Sequence, residues 1–329
     1  MSITYHYIDN GEGWKLECKR TVDPEPFDPE RPPLLIVPGY GMNAFIFGYH
    51  PTGASMEAYF AAAGLEVWSA NLRNQGGSIR VGGHKSCGLW DYGVTDLSAV
   101  ATFIAENTAS AHKRVDAIGC SLGGTLIFMQ AALVEENRLG ALVNMGGPLA
   151  WRDPHALLRT AASFPRLWGA VRFEGTRRLA GVLFPLLLRV PFLLRGYLHA
   201  EIVDTSRPQE LVKTVDDPNP VLNRQLAEWI RDGDLRLDGQ NLTEAMRRVS
   251  NPLLTVVANA DGIVPEQTTL SAHNVSAARE REVLRVGDDV TRFAHADLFI
   301  SRYSQERVFQ PINRWLAGLS RDDEAAGAR

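Results

Sequence analysis

The stretch from Val115 to Gly124 constrains the fold of this chain more than any other. A segment that starts at Val115 and is typical of a buried strand leads into Gly119-Cys120-Ser121-Leu122-Gly123, and a helical pattern follows. The two glycines of this G-x-S-x-G spacing allow a tight, strained turn from strand to helix, which lifts the serine hydroxyl above the edge of a sheet. We therefore predict that Ser121 is a nucleophile. The alternative is a glycine-rich turn without chemistry.

A serine hydroxyl is a weak nucleophile, so the rest of the chain must supply a base and an acid that orients the base. Asp261 lies just past the carboxyl end of the apolar run Leu253 to Ala258, where an open α/β sheet places its site residues. His295 is the one histidine of eight in a loop after the last strand pattern. The chain order Ser, Asp, His is typical of one class of catalytic triad. We predict Asp261 as the acid and His295 as the base; a turn-capping aspartate and a solvated histidine are the alternatives.

The negative charge that develops on an attacked carbonyl needs hydrogen-bond donors. The apolar run Leu34 to Val37 is typical of a strand buried on both faces, and it ends at Pro38-Gly39-Tyr40-Gly41. We predict the backbone N–H groups of Tyr40 and Leu122 as the two oxyanion donors. The alternative is that Pro38 to Gly41 is only a turn.

Strand and helix patterns alternate over most of the chain, which favours a parallel sheet covered by helices on both faces. Asp91 and Asp96 belong to one of the helical patterns, and we interpret them as first-turn residues that interact with the helix dipole. The pattern predicts a hairpin of residues 3–8 and 14–20. It predicts strands over residues 34–37, 66–70, 115–120, 141–145, 253–258 and 282–286. It predicts helices over residues 55–63, from residue 91, from the serine turn to about residue 136, and a closing helix over 298–319.

Residues 148–250 interrupt this alternation with helical stretches rich in aromatic residues and without a clear strand. We predict that they form a helical insertion over the site. Within it, Leu179 to Leu198 is very apolar, but Pro185, Arg189 and Arg195 argue against a transmembrane helix. Packing in the core, an apolar wall for an acyl chain and contact with a lipid surface all remain open for this segment.

Composition excludes several classes of function. With 329 residues and 45% hydrophobic residues, the chain can bury the core of one large domain. A net charge of −4 gives no attraction for nucleic acid or anionic lipid, and we expect neither as a partner, nor a stable membrane anchor. Three scattered cysteines are too few for a disulfide framework or a zinc site, and they indicate a reducing compartment. Residues 1–6 lack a secretion signal pattern, so we expect a cytoplasmic protein; no metal or organic cofactor is implied.

These motifs resemble the α/β-hydrolase fold superfamily over nearly the whole chain. The resemblance implies a mostly parallel eight-stranded sheet with the nucleophile after the fifth strand, flanked by helices and carrying a helical cap. It also implies Ser121, Asp261 and His295 as the triad and Tyr40 and Leu122 as oxyanion donors. The expected division is a hydrolase core over residues 1–147 and 251–320, a cap over 148–250 and a disordered tail over 321–329. The loop Asn71 to Ser78 is similar to the family's D-x-R-G-x-G-x-S turn but carries asparagines at 71 and 74, and Pro38 stands where the family commonly has histidine.

The branch within the superfamily is less defined. Gly123-Gly124, the insertion and Trp229 resemble polyhydroxyalkanoate synthases and lipase-like members, but the synthases carry cysteine at the position of Ser121. Cys120 lies one residue earlier, and we expect it to pack beneath the turn. We predict a serine hydrolase that cleaves an ester or thioester with a hydrophobic acyl part. An acyltransferase with the same acyl-enzyme and a non-catalytic binding module are the alternatives.

Overall fold

A computed structural model describes residues 1–171 and 173–320 of the protein. The predicted tail, residues 321–329, lies outside this range.

One large sheet organises the described chain. Its eight-strand path runs in the order β1-β2-β4-β3-β6-β7-β10-β11, and β5 adds a ninth strand beside β2. The predicted α/β class with a mostly parallel sheet is confirmed, and the serine turn follows the fifth strand of the eight-strand path. The strands are β1 Ser2–Asp9, β2 Trp14–Val22, β3 Leu34–Val37, β4 Val67–Ala70, β5 Ile79–Arg80, β6 Val115–Cys120, β7 Leu139–Met145, β8 Arg236–Leu237, β9 Gln240–Asn241, β10 Leu253–Ala258 and β11 Arg281–Val286.

The sheet is antiparallel at one edge and parallel through its centre. The predicted hairpin forms β1 and β2, with Ser2 paired to Val22 and Asp9 to Lys15, and β2 pairs antiparallel with β4. All pairings from β4 through β3, β6, β7 and β10 to β11 are parallel. Because helices cover both faces, all residues of β3, β4, β6, β7 and β10 are buried.

The side chains of the central strands alternate between two apolar layers. Leu35 and Val37 of β3 join one layer, whereas Leu34 and Ile36 join the layer on the opposite face. This period of two follows from the pleat of a strand. The α-helices that complete the layers and the insertion are α1 Met56–Ala62, α2 Leu97–Asn107, α3 Leu122–Leu133, α4 Ala156–Ala162, α5 Pro165–Ala170, α6 Thr176–Leu187, α7 Pro208–Leu211, α8 Pro220–Asp232, α9 Leu242–Met246, α10 Glu266–Thr269, α11 Ser271–Val275, α12 Asp297–Ile300 and α13 Gln310–Gly318.

The segment between β7 and β10, residues 148–250, is predominantly helical, as the sequence predicts. It also holds a small antiparallel hairpin of β8 and β9 that the sequence pattern did not indicate, because each strand has only two residues. In the described residues, no helix combines the length and the apolar character that crossing a bilayer requires.

The predicted closing helix over residues 298–319 is interrupted in the structure. It consists of α12, a π-helical turn Gln305–Phe309 and α13. The break lies at Ser301, whose backbone is extended. The Ser301 carbonyl lies 3.0 Å from Nε2 of His50, and the N–H of Arg302 donates to the carbonyl of Ile202. Contacts with distant segments therefore replace helical hydrogen bonds there.

The loop Asn71 to Ser78 is held by buried polar contacts. Nδ2 of Asn71 donates to the Glu17 carboxylate at 2.6 Å, and Oδ1 of Asn71 accepts the N–H of Ala44 at 2.8 Å. An aspartate at position 71 would lack the donor and would place a second carboxylate against Glu17. This contact explains why asparagine stands where the resemblance leads one to expect aspartate.

The same loop carries a buried ion pair. The guanidinium of Arg73 contacts the Asp96 carboxylate at 2.6 Å, and the two side chains are 3% and 0% exposed. Asp96 also accepts a hydrogen bond from Asn10 at 2.7 Å, and Asp91 adds a second carboxylate 3.2 Å from Arg73. The interpretation of Asp96 as a first-turn dipole residue is wrong, because the helical segment begins before it and its carboxylate binds Arg73.

Replacing Asp96 by alanine is expected to lower the free energy of unfolding by about 3 kcal/mol, because Arg73 would lose its one fully buried carboxylate partner and keep only more exposed ones. Chemical denaturation followed by circular dichroism measures the loss. Asp232→Ala is the matched control, since it removes an exposed ion pair with Arg231 and should cost about 1 kcal/mol or less. Equal losses in the two variants would show that burial of the Arg73 pair does not govern its contribution.

Candidate active site

The turn between β6 and α3 has the strained backbone that its sequence predicts. Ser121 has φ +54° and ψ −124°, a region that non-glycine residues rarely occupy. Its N–H donates to the carbonyl of Met145 at 2.8 Å, and its carbonyl accepts the N–H of Gly124 at 2.9 Å. The turn is thereby fixed to the end of the neighbouring strand β7.

Glycines surround this turn because other chain segments lie against it. A Cβ at Gly119 would overlap the carbonyl of Gly123, and one at Gly123 would overlap the carbonyl of Val37. A Cβ at Gly39 would lie 2.9 Å from the Cβ of Ser121. The loop that follows β3 therefore passes directly beside the serine.

Asp261 and His295 contact each other in the loops that follow β10 and β11. Nδ1 of His295 lies 2.6 Å from Oδ2 of Asp261, and the two side chains are 6% and 3% exposed. The other carboxylate oxygen, Oδ1, accepts the N–H groups of Ile263 and Val264 at 2.8 and 2.9 Å. The turn that carries Asp261 thus orients its carboxylate toward the imidazole.

This contact defines the tautomer of His295. An ionised carboxylate only accepts hydrogen bonds, so Nδ1 carries the proton and Nε2 presents a lone pair. Nε2 is buried and has no hydrogen-bond partner among the described residues. His295 and Ser121 border the same cavity, without a hydrogen bond between them in this structure. Catalytic hydrogen bonds often tighten only when substrate binds.

The predicted oxyanion donors belong to residues close to Ser121. Leu122 is the first residue of α3, where a backbone N–H has no intrahelical acceptor. The N–H of Tyr40 follows Gly39 in the adjacent loop, and within residues 1–171 and 173–320 neither N–H donates to a protein atom. The side chain of Tyr40 has its own partner: its hydroxyl donates to Oδ1 of Asn223 in α8 at 2.7 Å. Desolvation at this contact raises the pKa of Tyr40 to about 12.

Two apolar cavities meet at Ser121. The first, named here the tryptophan cavity, has a volume of about 290 Å³. The second, the histidine cavity, has a volume of about 370 Å³ and is lined in part by His295. Ser121, Tyr40 and Ile263 border both cavities. The insertion supplies much of both walls: Trp151, Leu158, Ala161, Trp168, Leu226 and Trp229 in the tryptophan cavity, and Ala180, Phe184, Tyr197, Leu198, Leu211 and Val215 in the histidine cavity.

A second histidine–aspartate pair, which the sequence reasoning missed, supports the loop of His295. The buried carboxylate of Asp297 accepts the N–H of Ala294 at 2.7 Å and the backbone N–H of His199 at 3.0 Å. Its Oδ2 also lies 2.7 Å from Nδ1 of His199. Burial raises the pKa of Asp297, while these donors favour its charged form. The spacing of Asp297, two residues after His295, was the available signal, but nothing in the sequence indicated its partner 98 positions away.

The insertion is also attached to both loops by backbone contacts. The N–H of Ala296 donates to the carbonyl of Tyr197 at 2.8 Å, and the N–H of Gly262 donates to the carbonyl of Gly196 at 2.8 Å. The Cα atoms of Gly196 and Gly262 approach so closely that a side chain at either position would collide. The short segment 196–199 therefore holds the Asp261 loop and the His295 loop together.

Two further positions refine the sequence-based picture. Gly146, at the end of β7, has φ +68°, and a Cβ there would lie 3.2 Å from the His295 ring. Cys120 is fully buried in the layer beneath the turn, as predicted, and burial raises the pKa of its thiol well above the usual range. A buried thiol of this kind is inert.

The chain belongs to the α/β-hydrolase fold family, whose sequence profile matches residues 32–284. No curated protein sequence matches the chain at a significant level.

Solved structures described as esterases share the fold. An esterase from Exiguobacterium antarcticum has a TM-score of 0.63 at 15% identity, covering 96% of this chain and 100% of its own. A malate-bound thermophilic esterase from Thermogutta terrifontis has a TM-score of 0.61 at 17% identity, covering 96% and 98%. A lipase-esterase related protein from Clostridium acetobutylicum has a TM-score of 0.56 at 14% identity, covering 96% and 100%. At these identities the likeness defines the fold alone.

We expect Asp297→Asn to loosen the loop that carries His295, because an amide cannot accept hydrogen bonds from all three donors. The free energy of unfolding should fall by about 2–3 kcal/mol, the cost of leaving buried donors unpaired. Amide hydrogen exchange should accelerate at Ala294 and His199, whose N–H groups donate to Asp297. Asp288→Asn is the matched control, since that exposed carboxylate also accepts two backbone N–H groups. Unchanged exchange at Ala294 would contradict the supporting role of Asp297.

Proposed function

We propose that the protein is a serine hydrolase that cleaves a carboxylic ester or thioester with a hydrophobic acyl part. One observation carries the proposal: the lone pair on Nε2 of His295 is unpartnered, while Asp261 holds Nδ1, and the cavity beside this ring also borders Ser121. The strained backbone of Ser121 and the likeness to solved structures described as esterases support it.

In the first half of the reaction, Oγ of Ser121 attacks the carbonyl carbon of the substrate and its proton passes to Nε2 of His295. Asp261 stabilises the imidazolium that results and keeps the ring oriented. The carbonyl oxygen becomes an oxyanion and accepts hydrogen bonds from the N–H groups of Tyr40 and Leu122. Each such donor contributes about 3–4 kcal/mol in comparable sites.

The tetrahedral intermediate then collapses, and the bond to the leaving alcohol or thiol breaks. The leaving group takes the proton from Nε2, and the acyl group stays on Ser121 as an ester. Water attacks this acyl-enzyme with His295 again accepting the proton, and the carboxylic acid departs as Oγ recovers its hydrogen. No group beyond the chain's own residues and water is required for these steps.

We propose that each cavity accommodates one side of the substrate. The leaving group must reach Nε2 to be protonated, so it occupies the histidine cavity. The acyl chain then extends past Leu122 into the tryptophan cavity. Because residues 148–250 supply most of the tryptophan cavity's wall and a large part of the histidine cavity's wall, this segment acts as the cap of a core formed by residues 1–147 and 251–320. The domain division and a cytoplasmic location stay predictions.

Ser121→Ala is expected to reduce hydrolysis of p-nitrophenyl esters by roughly 10⁴-fold or more, since removal of a triad nucleophile has effects of this size. The measurement is the steady-state release of p-nitrophenol over acyl groups from acetyl to long chains. Ser206→Ala, at an exposed serine, is the matched control and should retain wild-type rates. Turnover that survives in Ser121→Ala would assign the chemistry to another group.

The same assay separates hydrolysis from acyl transfer. Continuous turnover in water supports the hydrolase. A single stoichiometric burst that stalls, and resumes when an alcohol is added, would assign the histidine cavity to an acyl acceptor and favour the transferase. If neither a burst nor turnover is observed with any chain length, the proposal of an ester hydrolase is wrong and a binding role remains.

Filling one cavity at a time should shorten one side of the preferred substrate. Ala161→Phe narrows the tryptophan cavity and should shorten the preferred acyl chain by roughly three methylene groups. This figure takes the volume of one water-sized group as about 30 Å³. Ala180→Phe narrows the histidine cavity and should instead reduce kcat/KM for esters of bulky alcohols. The two variants serve as controls for each other in a matrix of acyl and alcohol lengths. Equal effects of both variants on both series would contradict the assignment of sides.

A further inference from the structure

Helix α6 carries an apolar stripe that faces away from the protein. Leu179, Val182, Leu183 and Leu186 follow the i, i+3, i+4, i+7 spacing of one helix face, and they are 57%, 64%, 43% and 49% exposed. None of the twelve residues of α6 is buried. A stripe with this spacing normally packs against a core, so its exposure requires an explanation.

The exposed apolar surface continues beyond the helix. Val190, Phe192 and Leu193 are 38%, 65% and 57% exposed. They follow α6 directly in a series of hydrogen-bonded turns over residues 188–193. We name these three residues and the four of the stripe the outer apolar surface. Contiguous apolar surface of this kind marks a site of interaction with a protein or a membrane.

The charges on this segment are of one sign. Residues 176–198 contain four arginines and no acidic residue, in a chain with a net charge of −4. Arg177 pairs with Asp216, but Arg178, Arg189 and Arg195 are exposed and have no ion pair among the described residues. The remainder of the chain therefore carries a net charge of −8, and the positive charge of residues 176–198 lies in the same segment as the outer apolar surface. The overall net charge, from which we expected no attraction for anionic lipid, does not describe this segment.

The opposite face of α6 belongs to the candidate site. Ala180 and Phe184 line the histidine cavity together with His295. The helix is anchored at its start by Asp217, which accepts the N–H groups of Gly175 and Thr176 at 2.9 and 2.6 Å. Segment 196–199 anchors the chain after it. The helix thus separates the histidine cavity from the outside, with apolar side chains on both sides.

From this arrangement we infer that α6 and residues 188–195 dock on an anionic lipid surface. The outer apolar surface enters the region between headgroups and acyl chains, and Arg178, Arg189 and Arg195 bind lipid phosphates. A symmetric dimer through the same surface would place the unpaired arginines of both copies against each other, which argues against a second copy as the occupant. If the proposed ester hydrolysis is correct, docking brings the histidine cavity next to apolar substrates held in the lipid phase.

The test is sedimentation of the purified full-length protein with vesicles of phosphatidylcholine, with and without phosphatidylglycerol. Binding is expected to require phosphatidylglycerol and to weaken as salt rises. Ser121→Ala should bind like the wild type, so the result does not depend on the proposed hydrolysis.

Two variant pairs separate the apolar and the charged contributions. Val182→Glu with Leu186→Glu should abolish vesicle binding, whereas Val290→Glu, at a residue 94% exposed elsewhere, should retain it. Arg178→Gln with Arg189→Gln should lower the partition coefficient by on the order of tenfold. Arg236→Gln with Arg279→Gln removes the same charge from other exposed positions and should change it little. Thermal unfolding of each variant checks that the fold is retained.

Absence of binding to phosphatidylglycerol vesicles would overturn the inference, as would equal losses in the control variants. A protein that does not bind vesicles but forms a dimer that Val182→Glu with Leu186→Glu dissociates would assign the outer apolar surface to contact between copies, and the lipid inference would be wrong.

Discussion

The backbone of Ser121 can hold its positive φ only because three segments enclose it at contact distance. The loop after β3 and the end of β7 approach Ser121 without side chains, at Gly39 and Gly147, and Gly123 in the first turn of α3 lies against the carbonyl of Val37. A strained residue persists where its surroundings over-determine its conformation, and the surrounding sheet does so here. The position of the serine, and with it the site, depends on this packing.

Residues 148–250 contribute side chains and backbone contacts to the candidate site. Segment 196–199 binds the loops of Asp261 and His295, while the Tyr40 hydroxyl connects the loop beside Ser121 to Asn223 in α8. Movement of the insertion would therefore change the relative placement of all the proposed catalytic groups. Helix α6 also connects the outer apolar surface to the histidine cavity. One face of this helix carries part of the outer apolar surface, and the opposite face lines the histidine cavity.

The fold was readily predicted because its signals are local. The continuous apolar run at residues 34–37 and the mainly apolar runs at 115–120 and 253–258 indicate buried strands, and the structure places strands over each of them. Prediction was wrong for the closing helix and incomplete for residues 236–241, where distant contacts or two-residue strands override the local pattern. Asp96 was misread for a similar reason, since its partner Arg73 lies in a loop 23 positions earlier.

By itself, the sequence determined the α/β class, the strained turn at Ser121 and the positions of Asp261 and His295 after strand ends, because glycine spacing and apolar runs act over a few residues. Only the tertiary structure decided that Asp261 contacts His295, that Asp297 and His199 support them and that two cavities meet at the serine. These features join residues far apart in the chain, so they exist only once the sheet and the insertion have packed together. The exposure of the stripe on α6 was likewise decided there, since the same i, i+3, i+4 spacing predicts a buried face until the packing around the helix is known.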